Sequence, residues 1–246
     1  MARRKYGFRI AGFIFKAICT LVILLVIGLL VWRIVDSKIT PKAVKTLIPN
    51  EKLCQAYDKY GDELTMFYQE QNEYTQRKGE NENYGYFANE GTVFIKEAEQ
   101  VQFILRYNNS TLKYTAERFK LDAEPTRDEN AFDVSLVIMY DLTPDNKDDN
   151  DGKTPEAVKY ERIQPSQEPL KHQKTLYNYR KYIFDGVKID DSVLAVYIDV
   201  YYAGEVDYEK QAYGTLMLYS YNEENITYNM SSSDKKAIDQ LNNDKG

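Results

Sequence analysis

The sequence has few of the residues on which enzymatic catalysis and metal binding most often depend. It contains one histidine, His172, and two cysteines, Cys19 and Cys54. A catalytic histidine needs a nucleophile and a carboxylate beside it, but Cys54, the only thiol outside the apolar N-terminal run, lies far from His172 in the sequence. Motifs of the G-x-S-x-G, H-E-x-x-H and glycine-rich phosphate-loop types are missing. We therefore expect a protein that is not an enzyme and that carries no cofactor and no metal.

Cysteine and tryptophan are also too scarce for two common extracellular designs. Cys19 lies inside the apolar run and Cys54 lies beyond it, so the two cannot form a stabilising disulfide. The single tryptophan, Trp32, borders the same run, whereas antibody-type immunoglobulin domains pack a tryptophan against a disulfide. Any prediction of a β-sandwich must therefore rest on the strand pattern alone. The abundance of Lys, Asn, Ile and Tyr favours a bacterial source.

Residues Ala17–Trp32 contain no charge. As a helix they cover about 24 Å, less than the ~30 Å of a bilayer's hydrocarbon core. Phe13–Phe15 supply the missing turn, and Lys16, near the end of the span, can extend its ammonium to the headgroups. We therefore predict a transmembrane helix at residues 13–35, which binds the lipid bilayer through Phe13–Trp32 and follows a basic cytoplasmic tail at residues 1–12.

The charges are divided very unevenly along the chain. Residues 1–45 contain nine basic residues and one acidic residue, a net charge of +8, and the rest of the chain has a net charge of −14. Five of these basic residues precede the apolar run and four follow it, and an excess of basic residues marks the cytoplasmic side of a span, which favours a single-pass signal anchor with an extracytoplasmic C-terminal domain. An acidic body disfavours nucleic acid as a partner. The alternative is a secretory signal cleaved after Ser37, with Val35 and Ser37 as the small residues before the cut.

A helical pattern follows the membrane segment. Asn50 can cap a helix, and five apolar residues after it recur at intervals of four, three, four and three. These residues are Leu53, Tyr57, Tyr60, Leu64 and Phe67. The polar stretch 69–83 reads as a linker. We predict a helical stalk and linker at residues 36–83, in which the helix either packs on the next domain or binds a partner.

Beyond Tyr84 the apolar period changes from 3.6 to 2, as in half-buried strands. The three most regular segments are Val101–Tyr107, Phe132–Tyr140 and Leu194–Tyr202, which we expect to be central. Less regular strand patterns are Thr92–Lys96, Val158–Ile163, Thr175–Phe184 and Thr215–Tyr221. The pattern predicts a mainly β fold, an antiparallel immunoglobulin-like β-sandwich or a small barrel, at residues 84–230. A short helix and tail at residues 231–246 complete the predicted domains.

Two segments leave alternatives open. Residues 112–121 form either a short helix or an irregular crossing. The acidic loop at residues 141–156 places Gly152 sixth in an EF-hand register, but that register puts Lys147 first and Val158 twelfth, where carboxylates are needed. The loop is therefore interpreted as a solvated charge run, with a looser calcium loop as the alternative.

Arg106 is the candidate around which we place a binding site. It lies on the mixed face of its predicted strand, just before Asn108 and Asn109. Asp199 and Tyr201 lie on the mixed face of another regular strand, and we expect Asp133, Asp141 or Asp199 to pair with Arg106. The candidate binding residues are Arg106, Asn108, Asn109, Asp199 and Tyr201. A structural ion pair is the competing explanation for Arg106.

Two functions from different classes remain. The first is a non-catalytic, membrane-anchored extracytoplasmic protein that binds a protein partner at the cell surface or belongs to an envelope complex. The second is a module that binds a glycan or another ligand through exposed tyrosines, of which the chain has 22 in total. The protein-partner function is favoured because the best stacking residue, tryptophan, occurs once, at the membrane.

Overall fold

The computed structural model describes residues 2–69, 87–108, 132–142, 158–188, 190, 192–202, 214–220 and 226–244. The chain divides into two compact units, Met1–Thr40 and Pro41–Gly246. The first is helical, and the second contains two antiparallel β-sheets. This confirms the prediction of a mainly β protein with one apolar helix near its N-terminus.

The N-terminal unit consists of one long helix, α1 (Ala2–Lys38). The stretch Phe13–Asp36 is long and apolar enough to cross a membrane, and none of its hydropathic window is buried by protein. Exposing so many large apolar side chains to water is unfavourable, so this helix suits a membrane anchor or a signal sequence. The helix also includes residues 2–12, where we predicted a tail. No proline interrupts these residues, so nothing prevents helical continuation.

The second unit contains two sheets with antiparallel pairing throughout the described strands. Sheet A has the strand order β10-β1-β2-β3-β7-β6, and sheet B has the order β5-β4-β8-β9. The strands are β1 (Met66–Gln69), β2 (Phe87–Ile95), β3 (Gln100–Asn108), β4 (Phe132–Asp141), β5 (Val158–Ile163), β6 (Leu170–Gln173), β7 (Tyr177–Asp185), β8 (Val193–Tyr202), β9 (Gly214–Ser220) and β10 (Ile226–Thr227).

One apolar core is shared by the two sheets. Every second residue of the regular strands enters it, as the alternating pattern predicted. Its members include Phe103 and Leu105 of β3, Ile138 of β4 and Ile198 of β8, each fully buried. The prediction that β3, β4 and β8 lie inside their sheets is confirmed, since each has a neighbour on both sides.

Short helices cover the outer face of sheet A, the face directed away from the shared core. They are α2 (Lys42–Lys45), α3 (Glu51–Tyr60) and α4 (Ser232–Asp244). Asn50 caps α3 as predicted, because its side chain accepts a hydrogen bond from the Leu53 amide at 3.0 Å. The α3 and α4 helices contribute Leu53 and Ile238 to a second apolar cluster, which also contains Val93 and Ile95 of β2.

The prediction that the helix after Asn50 extends to Phe67 was wrong. The helix ends at Tyr60, because Gly61 adopts a φ of +55°, a left-handed conformation that suits glycine and stops a helix. Phe67 lies in β1, where its ring stacks on Phe94 of β2 with centroids 4.5 Å apart. A four-residue strand has too few positions to reveal a period of 2. Residues 112–121 lie outside the described residues.

Candidate functional site

Arg106 forms an ion pair, but the predicted partner was wrong. Its Nε lies 2.6 Å from a carboxylate oxygen of Glu90 in β2, the neighbouring strand of the same sheet. The guanidinium also lies over the ring of Tyr177, 4.5 Å from its centroid. Ala88 lies opposite Arg106 in the register of β2 and β3, so Glu90, two residues further along, lies on the same face as a diagonal neighbour of Arg106. Glu90 was missed because the predicted strand began at Thr92, whereas β2 begins at Phe87.

Asp199 and Tyr201 belong to a separate polar cluster on the outer face of sheet B. Asp199 accepts hydrogen bonds from Arg162 Nη1 at 3.0 Å and from Thr215 Oγ1 at 2.8 Å. Arg162 also donates to Ser135. Burial raises the pKa of Tyr201, and the Asp199 carboxylate adds to this shift. These interactions are structural cross-strand contacts whose groups satisfy one another.

The structure therefore does not bring the predicted binding residues together. Arg106 and Asp199 alternate with core residues of different sheets, so their side chains leave the shared core in opposite directions. Asn108, at the end of β3, is half-buried and lies opposite Tyr177. Asn109 and almost all of the acidic loop lie outside the described residues. Among the residues described, no group of three or more His, Cys, Asp or Glu side chains is placed to hold a metal.

A cavity of about 650 Å³ lies on the outer face of sheet A. Sheet residues form one side, while α2 and the segment from Thr227 to the start of α4 form the others. This volume is typical of small-molecule sites, which usually measure ~300 to 1,000 Å³. The residues that line it are Lys42, Lys45, Thr46, Tyr68, Glu90, Gly91, Val93, Gln102, Ile104, Lys181, Thr227, Tyr228, Asn229, Ser231, Ser232, Ser233 and Asp234.

Two apolar clusters border the cavity. On one side, Val44 of α2 packs with Ile104 and Tyr179 of the sheet. On the other, the cluster beneath α3 and α4 includes Val93 and Ile238. Because the covering helices are short and anchored separately, they leave a gap over the polar positions of the sheet between them.

The Gln102 side chain attaches the chain between α2 and α3 to the sheet. It accepts from the Ile48 amide at 2.9 Å and donates to the Ile48 carbonyl at 2.8 Å. It therefore satisfies both backbone groups of one residue, as a neighbouring strand would. Gln100 extends the contact by donating to Asn50 Oδ1 at 2.9 Å and to Asp185 Oδ1 at 2.8 Å. This network holds one wall of the cavity in place.

Gly91 is required where the cavity meets the bulge of β2. Its φ is +149°, and a Cβ at this position would lie 2.6 Å from the Tyr68 hydroxyl oxygen. Since non-bonded heavy atoms cannot approach so closely, any other residue would displace the Tyr68 ring. That ring forms part of the lining and is tilted by 41° against the ring of Tyr228, with centroids 6.2 Å apart.

Asp234 organises the opposite wall. One of its oxygens accepts from the Leu47 amide at 2.6 Å. The other accepts from the Ser231 amide and hydroxyl, both at 2.7 Å, and from the Tyr228 hydroxyl at 2.9 Å. The Ser231 hydroxyl in turn accepts from the Asp234 amide at 3.2 Å, which completes a reciprocal capping box at the start of α4. The carboxylate is 1% exposed and has four donors.

Lys181 is the most unusual lining residue. It lies in β7, only 2% of its surface is exposed, and its Nζ donates to the Thr46 carbonyl at 2.6 Å. Burial lowers the pKa of Lys181 to about 7, although the Asp234 carboxylate acts in the opposite direction. An ammonium has three donors, and the described residues provide it with one hydrogen-bond acceptor.

Sequence reasoning missed Lys181, Glu90 and the cavity itself. Lys181 lies in the segment YNYRKYIFD, where Arg180 and Lys181 are adjacent and therefore occupy opposite faces of one strand. Two adjacent charges in this largely aromatic strand could have indicated a buried charge. Adjacent side chains point to opposite faces of a strand, so one of the two must lie on the face that packs against the core. A short helix was predicted within residues 231–246, but the position of its first residues at a cavity depends on tertiary packing.

The cysteine and the histidine of the second unit do not belong to this cavity. Cys54 is 3% exposed and packs in the cluster beneath α3. His172, on the edge strand β6, contacts the Tyr179 ring with centroids 6.3 Å apart. No protein-family model, curated protein or solved structure matches this chain.

Proposed function

We propose that this protein is a membrane-anchored, extracytoplasmic, non-catalytic binding module whose ligand occupies the cavity on sheet A. The single observation that carries the proposal is the size and lining of the cavity, about 650 Å³ with buried charges and several hydroxyl groups. Buried polar groups cost free energy unless they are satisfied. A folded domain that retains them around an opening of this size has a scaffold suited to ligand binding.

Carbohydrate is the ligand class that the lining supports best. The rings of Tyr68 and Tyr228 provide apolar surfaces beside hydroxyl and amide groups of Thr46, Asn229 and Ser232. Sugars present apolar ring faces and hydroxyl groups together, so such a mixture matches them. This proposal keeps the ligand class that we considered from the sequence, but it replaces surface tyrosines with tyrosines inside a cavity.

The non-catalytic part of this proposal rests on the sequence, which lacks the G-x-S-x-G, H-E-x-x-H and glycine-rich phosphate-loop motifs of common enzyme classes.

A glycan array probed with the full-length protein in detergent tests the proposed function. The Ser232→Trp variant places an indole at the exposed start of α4, where Ser232 lines the cavity. The matched control is Gln240→Trp, an exposed position on the same helix that does not line the cavity. We expect saturable binding to a defined set of glycans, lost in the first variant and kept in the second. Equal binding by both variants would show that the ligand does not use the cavity.

The topology is proposed on the charge distribution around α1. We propose a cytoplasmic N-terminus and an extracytoplasmic second unit, since five basic residues precede the apolar run and four follow it. Protease added to intact cells is expected to remove the second unit and leave a small membrane fragment. Protection of that unit in cells with a permeable wall would contradict this topology.

The immunoglobulin-like sandwich belongs to the same proposal. Two antiparallel sheets around one apolar core support a sandwich as the scaffold. The finer immunoglobulin-like assignment stays a prediction.

A protein partner is the second candidate function. It is favoured by β6, which lies at the edge of sheet A within the described residues. Leu170 in this strand and Leu176 beyond it are each 39% exposed. An exposed strand edge can accept an added strand from a partner. Replacing Lys171 by Pro would remove a backbone amide that is directed away from β7, and loss of a captured partner in this variant, with the glycan profile unchanged, would favour this function.

A further inference from the structure

We infer that the ligand of the cavity is anionic, a sugar or polyol that carries a phosphate or carboxylate group. This inference rests on the proposed function and specifies the class of its ligand. It rests on a difference within the cavity lining. The acidic side chains already have partners in the protein, whereas the basic side chains keep unused hydrogen-bond donors.

The two acidic residues of the lining are already neutralised or saturated by the protein. Glu90 pairs with Arg106 at 2.6 Å. Asp234 receives hydrogen bonds from Leu47, Ser231 and Tyr228. A carboxylate has about four lone-pair positions, so Asp234 has little capacity left for a ligand. Neither residue is available as the main contact for a cationic group.

The three basic residues of the lining retain donors. Lys42 and Lys45, on α2, are exposed at the cavity and form no ion pair or hydrogen bond through their amines with the described residues. Lys181 uses one of its three donors, toward the Thr46 carbonyl. The sign of the unsatisfied charge in the cavity is therefore positive, which favours a negatively charged group.

The burial of Lys181 strengthens the inference. The Lys181 ammonium has one carbonyl as its hydrogen-bond acceptor, and the Asp234 carboxylate acts on it only through space, so the hydration lost on burial is not fully replaced. The groups facing the cavity around it are Lys42 and Lys45 from α2, Glu90 from β2 and Asp234 from α4. An anion beside Nζ would supply the missing counter-charge. The start of α4 adds the Ser232 and Ser233 amides, to which the described residues provide no acceptor, and a helix N-terminus favours anions.

The size of the cavity separates a simple ion from a larger ligand. A space of about 650 Å³ exceeds the ~30 Å³ share of one water by far, so an inorganic phosphate ion would fill only part of it. A polyol or sugar body would fill the rest, against Tyr68 and Tyr228. Such a group occurs both in soluble sugar phosphates and in glycerophosphate lipid headgroups, which share this chemistry.

The test uses the full-length protein in phosphatidylcholine nanodiscs and three probes, namely glucose, glucose 1-phosphate and inorganic phosphate. Binding is followed by the NMR signals of the Val93 and Ile104 methyl groups, which line the cavity, with Ile138 in the shared core as the internal reference. We expect saturable shifts at the cavity with both phosphate-containing probes, at least tenfold tighter binding of glucose 1-phosphate than of glucose, and no shift of the Ile138 signals.

Three variants assign the effect to the charges. Lys181→Met keeps the length of the side chain without its ammonium, and we expect at least a tenfold loss of glucose 1-phosphate affinity. Lys45→Gln should cost about threefold. The matched control Lys52→Gln, at an exposed position of α3 outside the lining, should have no effect. Circular dichroism and thermal melting of each variant show whether it is folded before its affinity is compared.

The outcomes distinguish the inference from the function on which it rests. Glucose or an array glycan that binds in the cavity as tightly as glucose 1-phosphate, unaffected by Lys181→Met, would overturn the anionic inference and leave the binding module intact. Failure of every probe and every array glycan to shift the cavity signals would overturn both. Shifts of the cavity signals in phosphatidylglycerol nanodiscs without any added probe, absent in the Lys181→Met variant, would support an anionic site and assign the lipid headgroup as its occupant.

Discussion

On the outer face of sheet A, a buried lysine has a backbone carbonyl as its partner, whereas on the outer face of sheet B a partly buried arginine has a carboxylate. Lys181 donates to the Thr46 carbonyl, and Arg162 donates to Asp199 and Ser135. The second arrangement compensates its own charge within the sheet. The first does not, and it lies beside a cavity.

The two sheets share an alternating strand pattern, but their outer faces differ: polar side chains pair with one another on sheet B, whereas those on sheet A line a cavity. In sheet B, cross-strand contacts give each oxygen of Asp199 a donor, Arg162 for one and Thr215 for the other. The short helices over sheet A protect Lys181 from water, and their carboxylate, Asp234, acts on it only through space because its oxygens accept from other donors. Partial covering of a sheet therefore leaves a concave opening with polar groups in its lining, and both are features of ligand sites.

The largest expected effect concerns what the two sheets have in common. Leu105 of sheet A and Ile198 of sheet B are fully buried in the shared core. Replacing either by Ala should lower the free energy of unfolding by about 2 to 5 kcal/mol, with one cooperative transition in urea. Lys52→Ala, at an exposed position, should change it by less than about 0.5 kcal/mol. Two separate transitions would show that the sheets do not fold as one unit.

The next largest effect compares the ion pairs on the two outer faces. Arg106→Ala should destabilise the protein by about 1 to 3 kcal/mol, because it removes the ion-pair partner of the buried Glu90 carboxylate. Glu90→Ala in the same chain should recover part of this loss. The double substitution Arg106→Ala with Asp199→Ala should instead be additive, since Asp199 pairs with Arg162. Recovery with Asp199→Ala would restore the pairing that the strand pattern suggested.

The smallest effect is the pH dependence that Lys181 should produce. Its pKa is about 7 in the folded state and ~10.4 in an unfolded chain. Between these values the unfolded state binds more protons, so stability rises with pH. From pH 7 to pH 8 this lysine should add about 1 kcal/mol to the free energy of unfolding. Urea titrations of wild type and Lys181→Met at both pH values measure the difference, and an equal rise in the two proteins would assign it elsewhere.

The elements that could be predicted are those with a local cause. The helix cap at Asn50 depends on residues three positions apart, and the apolar helix depends on composition alone. β3, β4 and β8 were predictable because each has enough residues for alternation to be visible. The strands β1, β6 and β10 have four, four and two residues, too few for a periodic signal, and their pairing with longer strands is a tertiary interaction.

The sequence by itself determined which segments are apolar, which residues of the long strands enter a core, and that the acidic and basic parts of the chain are separate. Only the tertiary structure decided that Arg106 pairs with Glu90, because the register of β2 against β3 is set by sheet pairing. It also decided that Lys181, Asp234 and the tyrosines Tyr68 and Tyr228 line one cavity. Residues this far apart along the chain meet through sheet pairing and helix packing, and alternation within one strand contains no information about either.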